Sequence, residues 1–154
     1  MKVTFLTLDT YSKIGGIQQF NRRVVSALCS LINDKNVTII LKGDTSESIE
    51  NRPEKAKFVA CGNSRVQFFS ESLRNTKEAD ILFLGHVNLL PIAFLVKLIR
   101  PKIKIILFVH GIDVWGHNGR KIKKFDRYFI KFVDQVASVS NFTAQKMSES
   151  FIVP

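Results

Sequence analysis

The chain has few cysteines, and this shortage excludes two classes of protein. Its 154 residues include only Cys29 and Cys61, which lie far apart and outside any cluster of histidines and cysteines. Small secreted domains rely on several disulfides, and structural zinc sites need grouped ligands. We therefore expect free thiols in a reducing compartment, with no metal site and no cofactor.

Long hydrophobic runs are also missing. The longest apolar stretch, Leu89 to Ile99, is interrupted by Pro91 and Lys97 and is shorter than the roughly 18 residues that a membrane-spanning helix needs. Met1 and Lys2 lead directly into a strand-like segment that is too short for the apolar region of a signal peptide. We expect a cytoplasmic protein. If it binds a membrane, we expect it to do so peripherally, at the inner face of the plasma membrane.

Several nucleotide and nucleophile motifs are absent. The segment after Gly15-Gly16 lacks the third glycine of a dinucleotide fingerprint. The chain contains neither the Gly-Lys-Ser/Thr of a phosphate-binding loop nor a Gly-x-Ser-x-Gly elbow. These absences argue against dinucleotide-dependent enzymes, P-loop nucleotidases and serine hydrolases of the α/β class.

Acidic residues are scarce relative to basic ones. Lysine and arginine number 23 against 13 acidic residues, so the formal net charge is +10. Such an excess suits nucleic acid, an anionic membrane surface or a phosphorylated substrate, or is only a solvated basic face. The 13 phenylalanines fall mostly in core-like patterns and do not form the base-stacking signature of an RNA module, so we do not expect nucleic acid as a partner.

The densest basic segment is predicted to be a helix over Arg120–Val133, with an apolar face of Ile122, Phe125, Phe129 and Phe132. Its charged residues are either its solvated face or a contact with a membrane surface. The candidate membrane-surface residues are Arg120, Lys121, Lys123, Lys124, Arg127 and Lys131.

Strand and helix patterns alternate along the whole chain. Short apolar runs predict strands, and apolar residues at helical spacing predict helices between them. The predicted strands are Val3–Leu8, Val37–Leu41, Phe58–Ala60, Ile81–Leu84, Lys104–Val109 and Val136–Val139. The other predicted helices begin at Ile17 or cover Arg65–Thr76, Leu89–Ile99 and Phe142–Ser150, and Asp44–Lys57 is predicted to be a mobile loop. Unbroken apolar strands indicate a doubly wound, Rossmann-like α/β fold, with a mainly parallel sheet and helices on both faces, in one domain over residues 1–154.

Polar residues and glycines follow several predicted strands at the point where each strand ends. Ligands of open parallel sheets bind at the carboxyl ends of the strands. We therefore expect a site along one rim of the sheet. Its candidates are Lys13, Gly15, Gly16, His86, His110, Asp113 and Trp115. Each has a structural alternative: the glycines as a tight turn, the histidines and Trp115 as packing residues, and Asp113 as a cap.

The pair Gly15-Gly16 lies between the first strand and the first helix. A helix N-terminus presents unpaired backbone N–H groups and the positive end of the helix dipole, both of which favour anions. Glycine also lets a ligand approach the backbone closely. The pair therefore predicts contact with a phosphate group or another anion.

At these residues the chain resembles the N-terminal domain of the family 4 glycosyltransferases, retaining sugar-nucleotide enzymes of the GT-B type. The matching segments are Gly15-Gly16-Ile17, Asp80-Ile81-Leu82 with His86, Val109 to Trp115, and Val136 to Thr143. The resemblance implies that Gly15 and Gly16 bind the donor and that His110 is catalytic, beside the transferred sugar. It also implies that Lys13, His86, Asp113 and Trp115 line the acceptor side.

The resemblance further implies transfer of a sugar, with retention, from a nucleotide-sugar donor to a glycan or lipid-linked acceptor. Most donor contacts in that family lie in a C-terminal domain, which we expect to be absent from these residues. We therefore expect the chain alone to be inactive. Two alternatives remain: a non-catalytic Rossmann-like module that binds a nucleotide or phosphate, and a basic nucleic-acid binder.

Overall fold

A computed structural model describes residues 1–32, 35–49, 52–114 and 123–151. The strands are β1 (Val3–Leu8), β2 (Val37–Lys42), β3 (Lys57–Ala60), β4 (Ile81–Leu84), β5 (Lys104–Val109) and β6 (Gln135–Ser138). The helices are α1 (Gly16–Leu31), α2 (Arg65–Thr76), α3 (Leu90–Ile99), α4 (Gly111–Val114), α5 (Lys124–Phe129) and α6 (Asn141–Ser150). Short 3-10 turns cover Glu47–Ile49, Val87–Leu89 and Ile130–Phe132.

The strands form one six-stranded parallel sheet in the order β3-β2-β1-β4-β5-β6. The order reverses direction after β3, as in the doubly wound nucleotide-binding folds. The predicted Rossmann-like α/β class is therefore confirmed. The first, fourth and fifth predicted strands match the observed bounds residue for residue, because each is a short segment of mostly apolar residues.

The chain divides into two compact units, Met1–Leu82 and Phe83–Pro154. In the first unit, Phe5 and Leu6 of β1 and Ile39 to Leu41 of β2 are fully buried. Helix α1 presents Val25 and Cys29 on its buried face. Helix α2 begins after Ser64, whose hydroxyl accepts a hydrogen bond from the Gln67 N–H, the usual way to satisfy an N-terminal donor.

In the second unit, the alternate residues Ile105, Leu107 and Val109 of β5 are fully buried. Strand β6 pairs with β5 in parallel. Helix α6 begins after Ser140, whose hydroxyl caps the helix by accepting from the Thr143 N–H at 3.1 Å. None of the helices in the described ranges is both long and apolar enough to cross a bilayer.

Two local predictions need correction. The predicted helix Arg120–Val133 is α5 followed by a 3-10 turn within the part described, and Phe125 is 71% exposed while Asp126 is buried. The apolar face drawn through Phe125 was therefore wrong. The predicted loop Asp44–Lys57 contains a 3-10 turn, and its first residue, Asp44, is fully buried. Trp115, Arg120, Lys121 and Ile122 lie outside the described residues.

Candidate functional site

The loop between β1 and α1 is held from inside the first unit by the carboxylate of Asp44. Oδ1 accepts from the N–H groups of Tyr11 and Ser12 at 2.7 and 2.6 Å, and Oδ2 accepts from Thr10 N–H at 2.7 Å. Hydrogen bonds to an ionised acceptor are about twice as strong as neutral ones. Asp44 therefore fixes the first half of the loop. The N–H groups of Thr10, Tyr11 and Ser12 already have this carboxylate as their acceptor.

Arg22 of α1 holds the same loop through its carbonyl groups. Its guanidinium donates to Thr10 O at 2.8 Å, to Tyr11 O at 3.3 Å and to Lys13 O at 3.0 Å. It also lies 5.3 Å from the centre of the Tyr11 ring. Burial raises the pKa of Tyr11 to about 12, so the phenol is neutral at physiological pH. The loop is thus clamped through both N–H and carbonyl groups.

Close contact between the ends of β1 and β2 requires a glycine at position 43. Gly43 has φ +91°, and a Cβ there would collide with the Asp9 carboxylate. Asp9 itself adopts a left-handed conformation at φ 45°. This tight approach delivers the next residue, Asp44, to the β1–α1 loop.

The loop leads into the predicted donor-binding pair. Gly15 is the N-cap of α1, in an extended conformation that any residue can adopt, so the backbone does not itself demand glycine. A Cβ on Gly16 would have no heavy atom within 4 Å among the described residues. No side chain caps α1. The helix N-terminus is therefore sterically open at Gly16.

Lys13, a predicted acceptor-side residue, lies in the same loop. Its ammonium is 3.1 Å from Asp9 Oδ2, and its side chain is 63% exposed. An exposed pair of this kind contributes little stability, so Lys13 can exchange this partner for a ligand group at low cost.

The second unit brings together His86, His110 and Asp113. His86 follows β4 and starts the 3-10 turn Val87–Leu89, where its Nδ1 accepts from Asn88 N–H at 3.0 Å. An imidazole nitrogen that accepts a hydrogen bond carries no proton, so the ring proton is assigned to Nε2. That nitrogen lies 3.2 Å from Asp113 Oδ1.

Asp113 connects the two histidines. Its other oxygen, Oδ2, accepts from the His110 backbone N–H at 3.0 Å, while its own N–H donates to His110 O at 3.0 Å. The first of these bonds is one half of a capping box at the start of a short helix, and the second is an ordinary backbone turn bond. Asp113 is 0% exposed. In this structure its carboxylate holds the backbone of His110 by a hydrogen bond, and its Oδ1 lies close to the imidazole of His86 without a hydrogen bond of good geometry.

His110 lies directly after β5 and is only 5% exposed. Burial lowers the pKa of His110, against the opposing effects of the Asp113 charge and a hydrogen bond with the Gly85 backbone. The neutral imidazole is therefore favoured near pH 7. A neutral ring has one donor and one acceptor nitrogen, which suits contact with a hydroxyl group.

The predicted membrane-surface residues within the described part of the chain are all exposed: Lys123, Lys124, Arg127 and Lys131. No cluster of three or more histidine, cysteine or acidic side chains able to hold a metal occurs in the described ranges.

Two residues that hold the β1–α1 loop were missed from the sequence. Asp44 was assigned to a mobile loop, although it lies two residues after the end of β2, near the position that the strand-end rule selects. Arg22 was assigned to the polar side of α1, and nothing in its spacing indicated a partner.

The strand order and the parallel pairing define a Rossmann-like α/β fold. The polar residues after β1, β4 and β5 are its candidate site residues. A solved structure, "alpha-glucosyltransferase (AGT) in complex with UDP", is similar to it, with a TM-score of 0.59 and 14% sequence identity. The match covers 97% of this chain and 38% of that chain. No family model and no curated protein matches the sequence. At this identity the similarity establishes the fold.

Proposed function

We propose that this chain is the N-terminal, acceptor-side domain of a retaining, family 4 glycosyltransferase. The observation that carries the proposal is a similarity over 97% of the chain to a glucosyltransferase bound to UDP. The chain spans only 38% of that protein. The enzyme would transfer a sugar from a nucleotide-sugar donor, UDP-linked by analogy, to a glycan or lipid-linked acceptor.

Gly15 and Gly16 are proposed to contact the diphosphate and sugar of the donor. The open space at Gly16 supports this, because a ligand can approach the backbone there, whereas the Gln18 side chain lies against Gly15. The Asp44 and Arg22 contacts hold the loop before binding, which lowers the entropy cost of forming the complex.

His110 is proposed to lie beside the transferred sugar. Departure of the nucleoside diphosphate leaves positive charge on the sugar ring, and a neutral, well-placed imidazole tolerates that charge and orients a hydroxyl group. Asp113 and His86 would hold the surrounding backbone in place. Lys13, His86, Asp113 and Trp115 would line the acceptor side.

The exposed basic residues Lys123, Lys124, Arg127 and Lys131, with Arg120 and Lys121, are proposed to draw the enzyme to an anionic membrane where a lipid-linked acceptor resides. Each basic residue near such a surface contributes about 1 kcal/mol. The enzyme would then work at the cytoplasmic leaflet.

Substitution Gly16→Ala tests the donor-binding proposal. Because a Cβ at Gly16 meets no described atom, the variant is expected to fold with wild-type stability. Its added methyl group should weaken donor contact about tenfold or more, measured in the complete two-domain protein as a rise in KM for the sugar nucleotide. The control is Gly62→Ala, at φ +50°, which should lose stability rather than donor affinity.

Titration of the 154-residue chain with nucleotides distinguishes the glycosyltransferase proposal from its main alternative, a nucleotide-binding module. Amide chemical shifts are followed while UDP, a UDP-sugar or adenosine monophosphate is added. Weak shifts confined to Gly15, Gly16 and their neighbours fit the glycosyltransferase. Tight binding of a nucleotide by these 154 residues would instead favour a free-standing nucleotide-binding module.

A further inference from the structure

The second unit carries a group of aromatic side chains that are in contact with each other and partly exposed. We call it the aromatic surface, and it consists of Phe94, Phe125, Tyr128, Phe129 and Phe132. The centre of the Phe94 ring lies 4.9 Å from the ring centre of Phe132 and 5.6 Å from that of Phe129. The ring centres of Tyr128 and Phe129 are 5.5 Å apart. These contacts join α3, α5 and the following 3-10 turn.

The outer members of this surface are largely in water. Phe125 is 71% exposed and Tyr128 is 51% exposed. Leu98, one helical turn beyond Phe94 on the same side of α3, is 64% exposed. Isolated exposed apolar residues are ordinary, but a contiguous apolar patch on a soluble surface indicates an interaction site.

Between residues 123 and 132, the exposed charged side chains are all basic. Between residues 123 and 132 the only acidic residue is Asp126. It is buried, and its Oδ2 accepts from Lys123 N–H at 2.7 Å. Lys124, Arg127 and Lys131 remain exposed. The segment therefore presents aromatic rings bordered by cations.

One acidic residue faces this region from a neighbouring helix. A groove of about 500 Å³ is lined by Arg127, Tyr128, Lys131 and the end of α6, including Glu149. Glu149 lies 2.7 Å from the Lys146 ammonium, which offsets its charge. The net charge of the side chains around the aromatic surface is therefore positive.

We propose that the aromatic surface inserts into the headgroup and acyl boundary of an anionic lipid bilayer. This deepens the proposed membrane association and rests on it. Aromatic rings beside basic residues are the composition that binds membrane interfaces. A second copy of the chain fits less well, because pairing two such surfaces would oppose Lys124, Arg127 and Lys131 to like charges.

Insertion and charge attraction make different predictions about salt. Attraction between exposed charges weakens as ionic strength rises, since the Debye length falls from about 10 Å at 0.1 M to about 3 Å at 1 M. Burial of aromatic side chains does not depend on this screening. We therefore expect part of the binding to anionic vesicles to survive high salt.

The experiment compares two sets of variants by co-sedimentation with phosphatidylcholine vesicles, with and without phosphatidylglycerol. The pair Phe125→Ala and Tyr128→Ala should lower the partition coefficient about tenfold and abolish the salt-resistant part. The triple variant Lys124→Gln, Arg127→Gln, Lys131→Gln should lose the preference for phosphatidylglycerol and keep the salt-resistant part. All five side chains are exposed, so we expect both sets of variants to fold like the wild type. Thermal unfolding checks this.

Phe142→Ala is the matched control. Phe142 is 55% exposed on the first turn of α6, with the Lys146 ammonium 5.9 Å from its ring. It therefore has a similar exposure and a basic neighbour but lies outside the aromatic surface. It should bind vesicles like the wild type.

A tryptophan at position 125 reports depth directly. Phe125→Trp fluorescence should shift to the blue and be quenched by brominated lipids, relative to the parent chain with its single tryptophan. Wild-type binding by the Phe125/Tyr128 variant, with weaker binding by the charge variant, would overturn insertion and leave electrostatic docking. Loss of self-association in the aromatic variant, seen by sedimentation without vesicles, would assign the surface to a second copy instead.

Discussion

Asp44 has an influence beyond its own short segment. Its carboxylate accepts three N–H groups of a loop more than thirty residues away in the sequence, and it is fully buried. Each buried donor left without an acceptor costs about 1–3 kcal/mol. The position of the loop before Gly15 and Gly16 therefore depends on a residue outside that loop.

Removing this carboxylate should destabilise the chain. We expect Asp44→Ala to lower the free energy of unfolding by about 1–3 kcal/mol, because the buried Thr10 N–H loses its acceptor while the part-buried N–H groups of Tyr11 and Ser12 can turn to water. Asp44→Asn should lose less, since its carbonyl oxygen still accepts from two of them. Urea denaturation measures both. Glu47→Ala, in the exposed turn nearby, is the control, and equal stability of Asp44→Ala and Glu47→Ala would rule out the clamp.

His110 should make stability depend on pH. Its lowered pKa in the folded chain means that the unfolded chain binds the extra proton first as pH falls below about 6.5. Stability is therefore complete above that pH and declines below it, by at most about 1.4 kcal/mol per pH unit. The difference between wild-type and His110→Gln unfolding curves across this range isolates the effect. A constant difference would show that the buried ring is not the cause.

At the scale of elements, helices α2 and α6 each start directly after a serine that caps them. Ser64 and Ser140 each accept from the N–H three residues later. Helix α1 differs, because Gly15 offers no capping side chain. Helix α3 also begins without a side-chain cap, after Leu89, and α1 is the uncapped helix that lies at the proposed donor site.

The cap of α6 gives a direct test of local stabilisation. Ser140→Ala should cost about 1 kcal/mol, because Thr143 N–H loses its acceptor. Ser148→Ala is a matched control within the same helix, since the Ser148 hydroxyl bonds backward to Ala144 O and Gln145 O and its removal should be near neutral. Thermal unfolding compares the two. Equal effects would mean that the cap contributes nothing specific.

At the scale of the whole molecule, the proposed reaction needs more than this fold. Glycosyl transfer requires a leaving diphosphate to be neutralised and an acceptor hydroxyl to be held near the anomeric carbon with water excluded. The chain spans 38% of the similar glucosyltransferase. The proposal therefore places the remaining donor contacts in residues outside these 154.

The purified 154-residue chain should consequently show no turnover with nucleotide sugars. Release of UDP from UDP-sugars, with and without candidate acceptors, measures this. The complete two-domain protein is the comparison, and it should release UDP when an acceptor is present. Robust transfer by the 154 residues alone would contradict the division of labour proposed between the domains.

Much of the fold could be predicted because the signals that specify it are local. An apolar run such as Ile81–Leu84 predicts a buried strand wherever it pairs, and a serine before a helical pattern predicts a cap from neighbouring residues alone. The prediction was poorer over residues 123–132, where helical spacing placed Phe125 on the apolar face and gave no sign that Asp126 is buried. The capping geometry and the packing against α3 decided otherwise.

The sequence by itself determined the order of strands and helices, the basic excess and the set of candidate side chains, because these follow from spacing and composition. Only the tertiary structure decided that Asp44 holds the loop before the glycine pair and that Asp113 joins His86 to His110. It also decided which aromatic rings face solvent. Such contacts join residues distant in the chain, and local propensity carries no information about which partners the fold will bring together.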